Sequence, residues 1–211
     1  NERYVGPNVR GDITKQRFCN MNYTIGIDLG GTNTRIGLVA EDGKVIEVLK
    51  FKTYEHKELN DFVETLSDNI VLIVQKHNLP KESIKVGIGA PNGNYYAGTI
   101  EQAPNLPFKG IVPLVDLLKE SLKKKSYSAE VVLTNDANAA AMGEKIYGKA
   151  KNVRDFVMIT LGTGVGSGIF VDNKLVYGKS GFAGEAGHAI VQPEGRACGC
   201  GRHGCLETYC S

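Results

Sequence analysis

The chain has 211 residues, of which 25 are lysine or arginine and 23 aspartate or glutamate, for a formal net charge of +2 at pH 7. Its 42% apolar and 23% charged fractions are those of an ordinary globular protein, and the length allows one large or two small domains. A charge so near zero gives no ground for a nucleic-acid or anionic-membrane partner, and the longest apolar runs, such as Ile70 to Val74, are far short of a membrane span.

The first 20 residues hold three arginines and one lysine but no apolar core, so they are not a secretory signal. They are expected to be an extension, with Met21 as the natural start, Cys19 without a role, and the Asn22-Tyr23-Thr24 sequon a coincidence. Cysteines without a signal point to a reducing cytoplasm, where clustered thiols are metal sites more often than disulfides.

In chain order, residues 23–28 predict a buried strand, 33–40 a second and 44–52 a third, with a glycine turn at Asp28-Leu-Gly-Gly-Thr32 and a hairpin signal at Glu41-Asp42-Gly43. Leu59, Phe62, Val63, Leu66, Ile70 and Ile73 form one apolar stripe and predict a helix over 56–78, with Pro80 just beyond. Residues 84–90 read as a buried strand ending at Pro91. The Asn-, Gly- and Pro-rich stretch from Asn92 to Gly110 is long enough for a functional loop. A helix is expected over 111–124, a short buried strand at 131–133 and an alanine-rich helix at 135–147. A second hairpin follows, with strands at 155–161 and 165–171 and a third strand near 174–178. The unit of two antiparallel strands around a Gly/Thr turn thus occurs twice, which points to a duplicated α/β architecture of two lobes around a cleft, a favoured place for ligands.

Five motifs carry chemistry. In Asp28-x-Gly30-Gly31-Thr32, glycine N–H groups can form an anion nest and the aspartate can hold Mg²⁺ or its waters; a plain hairpin turn explains the glycines but not both Asp and Thr. Leu161-Gly-Thr-Gly-Val-Gly-Ser-Gly168 is dense in glycine for a hairpin and reads as a phosphate cradle, although it lacks dinucleotide-fingerprint spacing and a following helix. Two P-loop look-alikes fail: Gly143 to Ala150 has alanine where a Mg²⁺-binding hydroxyl belongs, and the run ending Gly178-Lys179-Ser180 starts from Asn173. Asn135-Asp136, between a strand and a helix, is either an N-cap or a general base facing the cleft. Glu185, His188 and Glu207 carry the groups that accept sugar hydroxyls, or else belong to a solvated loop. Cys198-Gly-Cys200-x4-Cys205 supplies three thiolates of the kind zinc selects, with His188, His203 or Cys210 as the fourth ligand.

These stretches together resemble the ROK family of sugar kinases and sugar-responsive repressors, from about Tyr23 to the last residue. The resemblance rests on Ile27-Asp-Leu-Gly-Gly-Thr-Asn-Thr-Arg-Ile-Gly37, Ala103-Pro-Asn-Leu106, Asn135-Asp-Ala-Asn-Ala-Ala140, Leu161 to Gly168, Gly184-Glu-Ala-Gly-His188 and Cys198-Gly-Cys-Gly-Arg-His-Gly-Cys-Leu-Glu207. It implies a two-lobed α/β fold, actin-like and ribonuclease-H-like, divided at 21–133 and 134–211. It also implies transfer of the ATP γ-phosphoryl group to a hexose, most simply glucose, with fructose, N-acetylglucosamine, N-acetylmannosamine and allose as alternatives. Asp136 matches the base. Asn105, Asn135, Glu185, His188 and Glu207 match sugar-holding positions. Asp28, with Mg²⁺, and Gly30, Gly31, Thr32, Asn33, Gly162, Thr163 and Gly164 match nucleotide-holding ones. His188, Cys198, Cys200 and Cys205 match a structural Zn²⁺ site.

The resemblance further implies a cytoplasmic homodimer. Pro91-Asn92 departs from the usual Pro-Gly of the family. Members continue for roughly a hundred residues beyond the position of Ser211, so the second lobe is expected to be truncated and the span inactive by itself. A repressor is disfavoured because only 20 residues precede Met21, without helical periodicity or strong basicity.

Overall fold

A computed structural model describes residues 22–211; the segment 1–20 and Met21 lie outside them. Strand β1 (Tyr23–Leu29) turns Ile25, Ile27 and Leu29 into the core and Gly26 and Asp28 to the other face. It pairs antiparallel with β2 (Asn33–Ala40), and β2 with β3 (Val45–Lys52). Gly43, in the β2–β3 turn, has φ +85°, a left-handed value that glycine adopts without steric penalty.

Helix α1 (Leu59–Lys76) is shorter than the apolar stripe predicts. Residues 53–55 form a separate single turn and Glu58 is extended, so regular hydrogen bonding starts only at Leu59. Phe62, Leu66, Ile70 and Ile73 are fully buried against β1, β2 and the next strand, β4 (Ile84–Ala90). Each contributes roughly 1.5–3 kcal/mol of burial.

The stretch after Pro91 is not an open loop. It folds into β5 (Gly93–Asn94), β6 (Thr99–Glu101) and β7 (Ile111–Val112), a small antiparallel sheet. The helix expected from 111 therefore begins later, as α2 (Leu114–Lys124), because the ring of Pro113 disfavours helical geometry at the preceding Val112.

Strand β8 (Ala129–Asn135) then adds parallel to β4, which is parallel to β1, and completes a sheet of order β3-β2-β1-β4-β8. It is longer than expected and only half-buried: Val131 and Leu133 face the core, while Val132 is exposed. Helices α1 and α2 cover one face of the sheet.

Helix α3 (Asp136–Ile146) follows β8 directly and lies between two sheets. A Cβ at Gly89 of β4 would stand 3.1 Å from the Ala139 Cβ on one side. A Cβ at Gly168 would stand 2.4 Å from the Ala141 Cβ on the other. Gly168 belongs to β10 (Val165–Val171), which pairs antiparallel with β9 (Phe156–Leu161) and with β11 (Lys174–Leu175). The third strand ends at Leu175, short of the expected 178, where Gly178 turns the chain at φ +69°. The hairpin of β9 and β10 repeats that of β1 and β2, so the duplicated unit read from the sequence is present in both sheets. The chain ends in the zinc-type loop and a single turn, α4 (Glu207–Cys210).

Candidate functional site

A cleft of about 630 Å³ opens on the face of the first sheet opposite α1 and α2. Its wall carries Asp28 from the end of β1, Asp136 from the start of α3, and Tyr177 from beyond β11. Alternation sets Asp28 there: with Ile27 and Leu29 turned into the core, the residue between them must face the other way. Arg35 lies directly across the β1–β2 ladder, its Nη1 3.7 Å from Asp28 Oδ2. Strand pairing made this partner legible, but sequence reading passed over it.

Asn135 and Asp136 fill the N-cap reading of their motif, and Asp136 also borders the cleft. The Asn135 side chain caps α3 by accepting the Ala137 N–H at 2.8 Å, and Asp136 Oδ1 accepts the same N–H at 2.8 Å. This leaves the Asp136 carboxylate exposed at the start of α3, on the wall of the cleft. Two residues on, Asn138 is 1% exposed and its Oδ1 has no hydrogen-bond partner among the described residues, although it borders the cleft.

Three carboxylates converge. Glu185 retains exposed surface, yet crowding of its carboxyl raises its pKa; neighbouring His188 opposes that rise, and the charges of Asp136 and Glu207 add to it. Glu207 Oε1 lies 3.4 Å from His188 Nδ1 and 2.9 Å from Cys198 Sγ. A Cβ on Gly164 would be 3.0 Å from Glu207 Oε2, so the β9–β10 turn reaches the same cluster.

The four glycines of this hairpin have different surroundings. A Cβ at Gly162 meets nothing within 4 Å, so the turn is sterically open there, while the Gly162 N–H is bound to the Gly164 carbonyl at 3.0 Å. Gly166 and Gly168 are instead required by close packing: added Cβ atoms would fall 2.8 Å from Ala137 Cβ and 2.4 Å from Ala141 Cβ. The other glycine turn touches the Ala103–Leu106 segment, where a Cβ on Gly31 would stand 2.2 Å from the Asn105 carbonyl oxygen.

The structure gathers His188, Cys198, Cys200 and Cys205 into one group whose donor atoms all lie within 4.8 Å of one another. Cys198 Sγ is 3.6 Å from His188 Nδ1, and Cys200 Sγ is 3.7 Å from Cys205 Sγ. Ligands about 2.3 Å from a tetrahedral centre lie about 3.8 Å apart, so this spacing and this donor set fit zinc. His203 is exposed and Cys210 binds the Leu206 carbonyl, and both fall outside the group.

The thiols differ in acidity. Arg202 draws Cys200 down to about 6. At Cys198 the Cys200 N–H acts to lower the pKa but is outweighed by Glu207, burial and the neighbouring thiols, which push it up to about 12. Bridges Ile190↔Cys205 and Ala197↔His203 shape the loop, and Arg196 ties it to α4 through the Thr208 carbonyl at 2.7 Å.

The ROK family model matches residues 24–211, nearly all of the chain. The chain belongs to the ROK family. Its fold is accordingly the mixed α/β, actin-like fold of ROK proteins. It is 37% identical over 188 residues to a glucokinase of Thermotoga maritima, covering 89% of this chain and 56% of that protein. It is 39% identical over 191 residues to a xylose repressor of Caldicellulosiruptor bescii, covering 89% and 46%. A ROK glucokinase from Streptomyces griseus, solved with glucose and AMPPNP, superposes with a TM-score of 0.73 at 36% identity, covering 90% of this chain and 57% of that one. The chain thus spans about half the length of the relatives it matches. Among the described residues no helix is long and apolar enough to cross a membrane.

Proposed function

We propose that this ROK chain carries the sugar-binding and base-bearing part of an ATP-dependent hexose kinase, with glucose as its substrate. The observation that carries the reading is the convergence of Asp136, Glu185 and Glu207 with His188 beside a glycine hairpin, in a chain similar to glucokinases. A sugar hydroxyl is a poor nucleophile, and Asp136, exposed at the start of α3, takes its proton, a contribution of roughly 10²–10⁴-fold.

Asn135, Glu185, His188 and Glu207 accept or donate hydrogen bonds to the remaining hydroxyls, and Asn105 adds a contact from the first lobe. The turns at Gly162 to Gly164 and at Gly30 to Asn33 hold the phosphates of ATP through N–H groups other than those of Gly30 and Gly162, which are bound to the Asn33 and Gly164 carbonyls. Asp28 would hold Mg²⁺ directly or through water, and the bound ion would neutralise phosphoryl charge. Closure of lobes 21–133 and 134–211 excludes water as a competing acceptor. His188 faces the Cys198 thiol through Nδ1, so ligation of zinc there would fix the ring and would leave Nε2 for the sugar.

The test is a coupled assay of ATP turnover by the full-length protein that contains this chain, over a panel of hexoses, with Asp136→Asn alongside. The expected result is glucose turnover that falls by about 10²–10⁴-fold in D136N, with glucose binding retained. No turnover with any hexose in the panel, or an active D136N, overturns the reading.

A second reading, a sugar-responsive regulator, is favoured by the 39% identity to a xylose repressor. A regulator must bind sugar but has no need of a base at a helix start across from Asp28. Specific, salt-dependent DNA binding by the full chain without hexose turnover would establish it.

A further inference from the structure

The segment that delivers Glu185 and His188 contains no strand or helix from Val176 to Gly184; the Val176 N–H is bound to the Ile169 carbonyl, and side chains fasten the segment at two further points. The first is on β10. Ser167 is 4% exposed, and its hydroxyl donates to the Gly184 carbonyl, one residue before Glu185. Gly184 has φ +93°, and a Cβ there would stand 2.7 Å from the Ser167 carbonyl oxygen. On the far side of Glu185, a Cβ on Gly187 would fall 2.1 Å from the Val165 carbonyl oxygen. The peptide bearing Glu185 therefore lies flat along β10, pinned by one buried hydroxyl.

The second point is on the first lobe. Asn94 is 8% exposed, and its Nδ2 donates to the Ser180 carbonyl at 3.2 Å and to Glu101 Oε1 at 2.9 Å. Its Oδ1 accepts the Tyr96 and Ala97 N–H groups at 3.1 and 3.3 Å. Beside it the Tyr95 ring stacks on that of Tyr177, with centroids 4.2 Å apart and planes inclined by 12°. Sequence reading gave Ser167 only to a phosphate loop and left Asn94 unremarked.

We propose that Ser167 and Asn94 are positioning residues for sugar recognition: they fix the 176–184 segment between the two lobes, and through it they aim the Glu185 carboxylate at the sugar. The inference rests on the hexose kinase reading. Neither side chain need touch the sugar. An unpinned Gly184 lets the Glu185 peptide rotate off β10, and the ordering it then needs on binding weakens the complex.

The test is a double-mutant cycle in the full, zinc-loaded protein: Ser167→Ala, Glu185→Gln and both together. Glucose affinity is read by calorimetry without nucleotide, and KM for glucose and for ATP by turnover. The expected result is that S167A weakens glucose binding about tenfold, the scale of one buried hydrogen bond, with KM for ATP unchanged. In the Glu185→Gln background the same change should weaken it by less than about twofold, because the effect passes through Glu185.

Ser167→Thr keeps the hydroxyl and should retain tight binding. Should S167A not fold, Asn94→Ala takes its place in the same cycle. Unchanged glucose affinity in S167A, or a loss just as large in the E185Q background, overturns the proposal. A wild-type protein that binds and turns over no hexose overturns the kinase reading instead.

Discussion

Gly31→Ala tests the contact between the Gly30–Asn33 turn and the Asn105 segment, the parts of the first lobe proposed to hold ATP and sugar. A Cβ at residue 31 would stand 2.2 Å from the Asn105 carbonyl oxygen, 3.2 Å from its carbonyl carbon and 3.3 Å from its Cβ. Ordinary contact begins near 3.4 Å, so the turn and the Asn105 segment must separate by about 1.2 Å. Residue 31 is outside the left-handed region, so alanine is allowed by the backbone and the perturbation is steric contact alone.

A displacement of about 1 Å in groups that position substrate costs on the order of 10²-fold in rate. Overpacking in a core costs roughly 1–3 kcal/mol, and less is expected at this half-exposed turn. The expected outcome is kcat/KM lower by about 10²-fold for both glucose and ATP, with a small drop in Tm. Steady-state kinetics on both substrates and a thermal scan measure it. A change in kcat/KM of less than about threefold, under 1 kcal/mol in barrier, would refute the reasoning that Gly31 couples the phosphate turn to the sugar segment.

Zinc removal by a chelator should weaken glucose affinity and lower Tm together, because an ion held by His188, Cys198, Cys200 and Cys205 would tie together the loop that carries Glu185 and Glu207; calorimetry on the metal-free protein checks this. Burial, aided by Asp136 and Glu207 against the opposing His188, raises the Glu185 pKa, so its carboxylate is protonated at a higher pH than an ordinary glutamate. Glucose affinity should therefore fall with pH already above 4.5, and the Glu185→Gln variant should lose that limb of a binding titration. Glu47 behaves oppositely: Lys76 and then His77 hold its pKa below 4.5, so its contribution to stability is present above the unfolded-state pKa and is lost as pH falls through the folded one. Phe62→Ala should cost about 3–5 kcal/mol in chemical denaturation, since the side chain is fully buried on the core-facing side of α1.

Local pattern determined much of this protein. Alternation in residues 23–28 set Asp28 opposite the core, the apolar stripe of α1 marked its buried face, and the doubled glycine hairpins announced two sheets before any contact was known. Each follows from strand or helix periodicity, which neighbouring residues fix among themselves. The thiol spacing likewise named a metal site but left its fourth ligand open among His188, His203 and Cys210.

Tertiary structure decided what depended on docking. It brought His188 rather than Cys210 to the thiols, laid Gly31 against Asn105, and joined Asn94 to Ser180 across 86 positions of sequence. It also divided the Gly162–Gly168 run into an open turn and a packing surface for α3, although the four glycines are chemically identical. No periodicity encodes such differences, because they arise only where separate elements meet at close range and the room for one Cβ is set by the partner.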